Sequence, residues 1–216
     1  MKINTVLFDL DGVLIDTSRI WTELHQKTAE ELGLRVPPYK EISDLWGESW
    51  DYIIETLWPD ADLEKFKKTL REIKRREKIL LPPIKGVENV LKKLERMGYK
   101  LGMVSGCPRM YVIKDTKEAG IDPKLFEVIV SAEDTKNHKP HPEPVLHACK
   151  LLKVKPENAI YVGDSIFDYK SAKNANVEFV AVLTGDVREK EFRENGVKNI
   201  IDSVAELPKF LKLNLN

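Results

Sequence analysis

An α/β fold, a parallel sheet with helices on both faces and a helical segment inserted after the first strand, is the class this sequence predicts. Three observations predict it. From residue 83 onward, short apolar runs alternate with stretches of helical periodicity, the pattern of a parallel sheet joined by crossover helices. One apolar run, residues 3–8, stands apart from the others across residues 16–82, in which no strand pattern is evident. Acids, glycines and hydroxyls follow where the apolar runs stop, and ligands of such sheets bind beyond the strands' carboxyl ends, where strand order reverses.

Ile3 to Phe8 reads as a buried strand that breaks off at Asp9-Leu10-Asp11-Gly12. Side chains alternate along an extended backbone, so Asp9 and Asp11 point one way and Leu10 into the core. Two adjacent carboxylates repel, and a divalent cation or a shared proton relieves that; the same residues also suit a plain polar turn. Next, Thr17 or Ser18 caps a helix with Trp21, Leu24, Thr28 and Leu32 at helical spacing, stopped by Gly33. Pro37-Pro38 opens a second helical stretch, Glu48 to Leu57 forms a third and Asp62 begins a fourth. Leu63, Phe66, Leu70 and Ile73 line one face of that fourth helix, with Lys65, Lys67, Lys68, Lys74, Arg75 and Arg76 elsewhere as a solvated basic surface. All four tryptophans, Trp21, Trp46, Trp50 and Trp58, fall in this segment and read as its own core. Residues 16–82 are therefore expected to form a helical cap domain, and residues 1–15 with 83–216 a Rossmann-like core.

Beyond Pro82-Pro83, Val87, Val90, Leu91, Leu94 and Met97 predict a helix ended by Gly98, then a strand over 99–104 that stops at Ser105-Gly106. A helix from Pro108 to Gly120, a strand over 126–130, a helix over 142–152 and a strand over 159–162 follow. The last of these runs into Gly163-Asp164-Ser165. A helix over 166–175, a strand over 178–183, a short strand near 199–201 and a final helix from Ser203 complete the alternation. The strand ends then carry Asp9 and Asp11, Ser105 and Gly106, and Asp164, with Asp168 one helical turn further on the same face. Pro140 biases Lys139 toward an extended backbone, aimed at the cleft. Acids, one lysine, one hydroxyl and glycine-supplied amides are what a site needs to hold a hard cation and a phosphate together.

Composition narrows the partners. The 216 residues carry 35 Lys plus Arg against 35 Asp plus Glu, so no global field invites nucleic acid or an anionic membrane, and a small-molecule partner is expected. No stretch approaches the roughly 20 apolar residues of a membrane helix, and no basic segment precedes a long apolar run, which predicts a cytoplasmic protein. Cys107 and Cys149 are too few for a disulfide framework and read as small buried residues. A charged fraction of 32% and a single glutamine, Gln26, point weakly to a thermophilic source.

In their order, Asp9-x-Asp11-Gly12, Ser105, Lys139-Pro140 and Gly163-Asp164-xxx-Asp168 resemble the haloacid dehalogenase-like hydrolases, in the branch with a helical cap after the first strand. The resemblance covers essentially the whole chain. It implies that Asp9 is a nucleophile forming an aspartyl-phosphate, that Asp11 is the general acid and base, and that Ser105, Gly106 and Lys139 hold the phosphate. It implies Mg2+ bound by the Asp9 carboxylate, the Asp11 backbone carbonyl and Asp164, with Asp168 in support. The implied enzyme is a Mg2+-dependent phosphatase of a small phosphorylated metabolite, with a monomer sufficient.

Departures from the family's pattern bear on the alternatives. Val13 replaces the threonine that follows Asp-Gly in many of its phosphatases, and Gly106 replaces a residue with a side-chain amide. Asp-Gly-Val is similar to beta-phosphoglucomutases, but the histidine those enzymes carry twelve positions after the nucleophile is Trp21 here. A phosphosugar mutase and a non-catalytic phosphometabolite-binding module are the alternatives. Dehalogenation is disfavoured by Asp11, and a phosphonoacetaldehyde hydrolase would need a Schiff-base lysine in the cap. His25, His138, His141 and His147 lack metal-ligand spacing and read as surface or locally bonded residues. Asp134 and Asp186 read as loop acids, and Glu48, Ser49 and Arg75 as solvated helix residues.

Overall fold

A computed structural model describes residues 3–214 of the chain. Six parallel strands, β1 (Thr5–Phe8), β2 (Lys100–Val104), β3 (Val128–Val130), β4 (Ala159–Gly163), β5 (Glu178–Val182) and β6 (Asn199–Ile201), form one sheet among the described residues. Their order is β3-β2-β1-β4-β5-β6, so the chain leaves β1 to one side and later returns to its other side. That reversal puts the functional end of the sheet at the tip of β1. Phe8 pairs with Met103 on one flank and Val162 on the other, which brings Asp9, Ser105 and Asp164 level just past the strand ends.

Strand side chains sort by parity onto two apolar layers. Val6 and Phe8 join one buried cluster with helices α5 (Val87–Arg96), α6 (Arg109–Glu118) and α10 (Leu207–Asn214), while Leu7 and Tyr161 join another with α7 (Glu143–Leu152), α8 (Ile166–Asn174) and α9 (Glu189–Glu194). Near-continuous apolar strands such as Val6-Leu7-Phe8 are what burial on both faces demands. No helix among the described residues is long and apolar enough to cross a membrane.

Between β1 and α5 the chain forms α1 (Ser18–Glu31), α2 (Tyr39–Ser43), α3 (Trp50–Leu57) and α4 (Leu63–Arg76). Asp62 caps α4 by accepting from the Lys65 amide at 2.9 Å, and Ser49 caps α3 from the Tyr52 amide at 3.3 Å. Packing does the rest. Leu24, Trp58, Phe66 and Ile73 are buried together, and this apolar cluster runs on without a break into the layer under α5. The seam between these helices and the sheet also carries polar contacts: Lys74 reaches Asp115 at 2.5 Å, and Tyr39 donates to Asp186 at 2.7 Å.

Several local expectations are corrected. Thr17 stands at the head of α1 without capping it, because its hydroxyl is used elsewhere. The last helix begins as a 3-10 turn, Val204–Glu206, before α10, and α9 has no counterpart in the sequence pattern, its only buried residue being Phe192. Lys67 and Lys74 are not solvated; their side chains are 16% and 11% exposed and paired with Asp51 and Asp115. Of the two readings of His25, local bonding holds and surface exposure does not. The residue is fully buried among Trp46, Trp50, Trp58 and Phe66, its Nδ1 bonded to the Trp21 carbonyl at 2.8 Å and its Nε2 without a partner.

Candidate active site

At the tip of β1, Asp9 is 5% exposed and accepts a hydrogen bond from the Lys139 ammonium at 2.9 Å. Lys139 comes from the loop ahead of α7 and is itself buried. Its ammonium also reaches Asp168 Oδ1 at 2.7 Å, so one cation sits between two carboxylates. That pairing holds Lys139 protonated, its pKa raised by Asp168 and Asp9 against the opposing effect of burial. Tyr161, buried in β4, donates to the same Asp168 oxygen at 2.9 Å. Ser165 gives its hydroxyl and amide to the other oxygen at 2.6 and 3.2 Å, forming a capping box at the head of α8. With both oxygens engaged and no surface exposed, Asp168 fixes Lys139 in place.

Asp11 is held separately. Its Oδ1 accepts from the Thr17 hydroxyl at 2.7 Å and the Trp21 indole at 2.8 Å, while the Cys107 sulfur lies 3.3 Å from Oδ2. One oxygen is thus fixed by strong donors, and the other meets only a weak one.

Asp164 is the exception. It is 8% exposed and accepts no side-chain hydrogen bond among the described residues. It lies where glycines alone fit: a Cβ on Gly12 would come within 2.1 Å of its Oδ2, and one on Gly185 within 1.9 Å. Gly12 also has φ +70°, a conformation other residues seldom adopt. Carboxylate oxygens of Asp9, Asp164 and Asp168 all lie within 4.8 Å of one another. Burial, reinforced by Asp168 and Asp9, raises the Asp164 pKa, and burial likewise pushes Asp9 up to about 7 despite Lys139.

Asp9, Asp11, Ser105, Lys139 and Asp164 all open onto one cavity of about 40 Å³ between the sheet tips and the inserted helices. Ser105 is 5% exposed and its Oγ accepts from the Cys107 amide at 3.1 Å. Gly106 lines the cavity too, and a Cβ there would stand 3.0 Å from the Glu48 carbonyl. Asp168 lies behind Lys139, outside the lining. Asp134 and Asp186 are also outside it: the first is spent on Ser131 and Arg109, the second on Tyr39.

The opposite wall departs from expectation. Trp21, Trp46 and Trp50 line the cavity besides packing in the helical core, and Glu48 joins them, half-buried. Thr17, Trp21, Cys107, Tyr161 and Ser165 are contributors whose part in the site the sequence patterns did not show. Their roles depend on contacts between distant segments, and each residue type is also common in a plain core.

The model of the haloacid dehalogenase-like hydrolases matches residues 6–182. The chain is 35% identical over 182 residues to pyrophosphatase PpaX of Bacillus pumilus, covering 83% of each protein. It is 34% identical over 182 residues to pyrophosphatase PpaX of Halalkalibacterium halodurans, covering 84% of each. Among solved structures, a hydrolase from Pseudomonas syringae shares the fold at TM-score 0.87 and 19% identity, covering 99% of this chain and 100% of that one. Beta-phosphoglucomutase of Clostridium difficile shares it at TM-score 0.79 and 24% identity, covering 97% and 96%. By the family model and by these relatives, the chain belongs to the haloacid dehalogenase-like hydrolases.

Proposed function

We propose that this chain is a Mg2+-dependent phosphatase that hydrolyses a small phosphomonoester through an aspartyl-phosphate on Asp9. Residues 16–82 act as a cap over the core of residues 1–15 and 83–216. One observation carries the reading: Asp9 and Asp11 open onto the same cavity as Ser105 and a Lys139 that is locked as a cation. The pyrophosphatase names of the Bacillus and Halalkalibacterium relatives support a phosphate-bearing substrate.

The residues fit a hard divalent cation. Four carboxylates around one ammonium leave the floor electronegative, and a phosphate dianion would be repelled without further positive charge. Asp164 is a buried carboxylate with no side-chain donor among the described residues, which is costly unless a cation binds it. The Asp9 carboxylate, the Asp11 carbonyl and Asp164 would hold Mg2+; Asp168, with both oxygens already engaged, would not. The ion supplies charge neutralisation on the phosphate oxygens and on Asp9 when bound.

In the first step the Asp9 carboxylate attacks phosphorus and the bond to the leaving oxygen breaks, while Asp11 gives that oxygen its proton. Lys139, Ser105 and the Gly106 amide hold the non-bridging oxygens. Water then attacks the phosphorus of the acyl phosphate, Asp11 takes its proton, and phosphate and free Asp9 are released. Asp11 Oδ2 is the oxygen that can carry the proton, since Oδ1 is engaged by Thr17 and Trp21. An indole N–H does not titrate, so Trp21 orients Asp11 and relays no proton, which favours hydrolysis over mutase chemistry.

Release of p-nitrophenol from p-nitrophenyl phosphate, followed with Mg2+ and with a chelator, tests this. Wild type should turn over only with the metal and Asp9→Asn should lose about 10⁴-fold or more. Equal release by Asp9→Asn, or release indifferent to chelation, would overturn it.

A further inference from the structure

Among the described residues, the wall facing the phosphate site carries a carboxylate and no lysine or arginine. Glu48 follows Gly47 in the short segment between α2 and α3, and its carbonyl lies against Gly106, directly over the loop that holds Ser105. Glu48 lines the cavity together with Trp21, Trp46 and Trp50, its carboxylate within electrostatic reach of Lys139, and it makes no ion pair or side-chain hydrogen bond among the described residues. Burial raises its pKa, and the cation it faces is Lys139. Lys139 is already divided between Asp9 and Asp168. The nearby lysines of α4 are engaged as well: Lys67, in the groove beyond Trp50, with Asp51 at 2.5 Å and Glu64 at 3.4 Å, and Lys74, behind Trp21, with Asp115 and Glu118.

A leaving group bearing its own phosphate or carboxylate would therefore meet Glu48 beside apolar rings, with no unpaired lysine or arginine lining the cavity among the described residues to answer it. Like charges so placed repel, and the half-buried setting of Glu48 screens them less than open water would. A hydroxyl or ammonium group, by contrast, satisfies the unpartnered carboxylate, and an ammonium also suits aromatic walls.

Resting on the phosphatase reading, we propose that Glu48 selects the leaving group: the substrate is a phosphomonoester whose leaving group has no second anionic group and offers an O–H or N–H donor. Pyrophosphate, the substrate named for the relatives, is on this account a poor one.

The test is kcat/KM at saturating Mg2+ for glycerol phosphate, ethanolamine phosphate, phosphoglycolate and pyrophosphate, with p-nitrophenyl phosphate as reference. Wild type should favour the first two over the last two by roughly 10²-fold. Glu48→Gln should narrow that ratio and Glu48→Lys should invert it, each variant checked for an unchanged melting curve. A larger loss on ethanolamine phosphate than on glycerol phosphate in Glu48→Gln would identify an ammonium donor; equal losses would identify a hydroxyl. Preference of wild type for pyrophosphate or phosphoglycolate, or a ratio unmoved in both variants, would overturn the role of Glu48 while leaving the phosphatase reading intact. No metal-dependent turnover of the reference compound would overturn both.

Discussion

The floor of the cleft and its roof are made of opposite materials. The floor, at the strand tips, holds one ammonium and four carboxylates, with Asp168 and Asp11 bound by several donors each. The roof, from the inserted segment, sets Trp21, Trp46 and Trp50 around one carboxylate, Glu48, that has no ion pair among the described residues. Such a division matches two tasks. Phosphoryl transfer needs charge fixed before the substrate arrives, because reorienting it during the reaction costs rate. Selecting a leaving group needs a dry surface with few polar groups, each of which then counts heavily.

The sharpest way to break this contrast is at Asp11. Asp11→Asn keeps the shape of the floor but cannot exchange a proton, so kcat should fall by roughly 10²–10⁴-fold with little change in fold. Steady-state kinetics beside a melting curve would check it; an unchanged kcat would remove Asp11 from the chemistry.

The seam between floor and roof comes next. Lys74→Ala leaves Asp115, 3% exposed, without its partner, a loss of about 3–5 kcal/mol at pH 8. Burial already pushes Asp115 up to about 6 in spite of Lys74, so the loss should shrink as pH falls and the carboxyl takes a proton. Urea unfolding at pH 8 and pH 5 would measure both.

Within the roof, His25 sharpens the comparison, since it is a titratable group with no charged partner. Burial lowers its pKa from 6.5 to about 4, so below pH 6.5 the unfolded chain binds a proton that the native chain refuses. Stability should fall by up to about 3 kcal/mol between pH 6.5 and 4, and His25→Leu should flatten that part of the curve. A pH–stability profile identical to wild type would contradict this account of the packing.

The same division explains what the sequence disclosed. The floor was legible because its residues follow strand ends, where a single register rule brings Asp9, Ser105 and Asp164 together. Even the reach of Lys139 could be read from Pro140 and its place between strands. The roof was not legible, because helical periodicity says which face is apolar and nothing about which part of that face meets the sheet. Trp21, Trp46 and Trp50 therefore read as core, Glu48 as a solvated residue and His25 as a surface or locally bonded one. Lys67 and Lys74 read as solvated for the same reason: their partners come from α3 and α6. Thr17 misled through its own versatility, since a residue suited to capping a helix serves Asp11 instead.

Trapping the covalent intermediate tests the central claim most directly. Turnover stopped with acid, followed by borohydride reduction and peptide mass mapping, should convert residue 9 and no other aspartate to homoserine, and only when both substrate and Mg2+ were present. Conversion at a different residue, or none during measurable turnover, would contradict the assignment of Asp9 as the group that receives the phosphate.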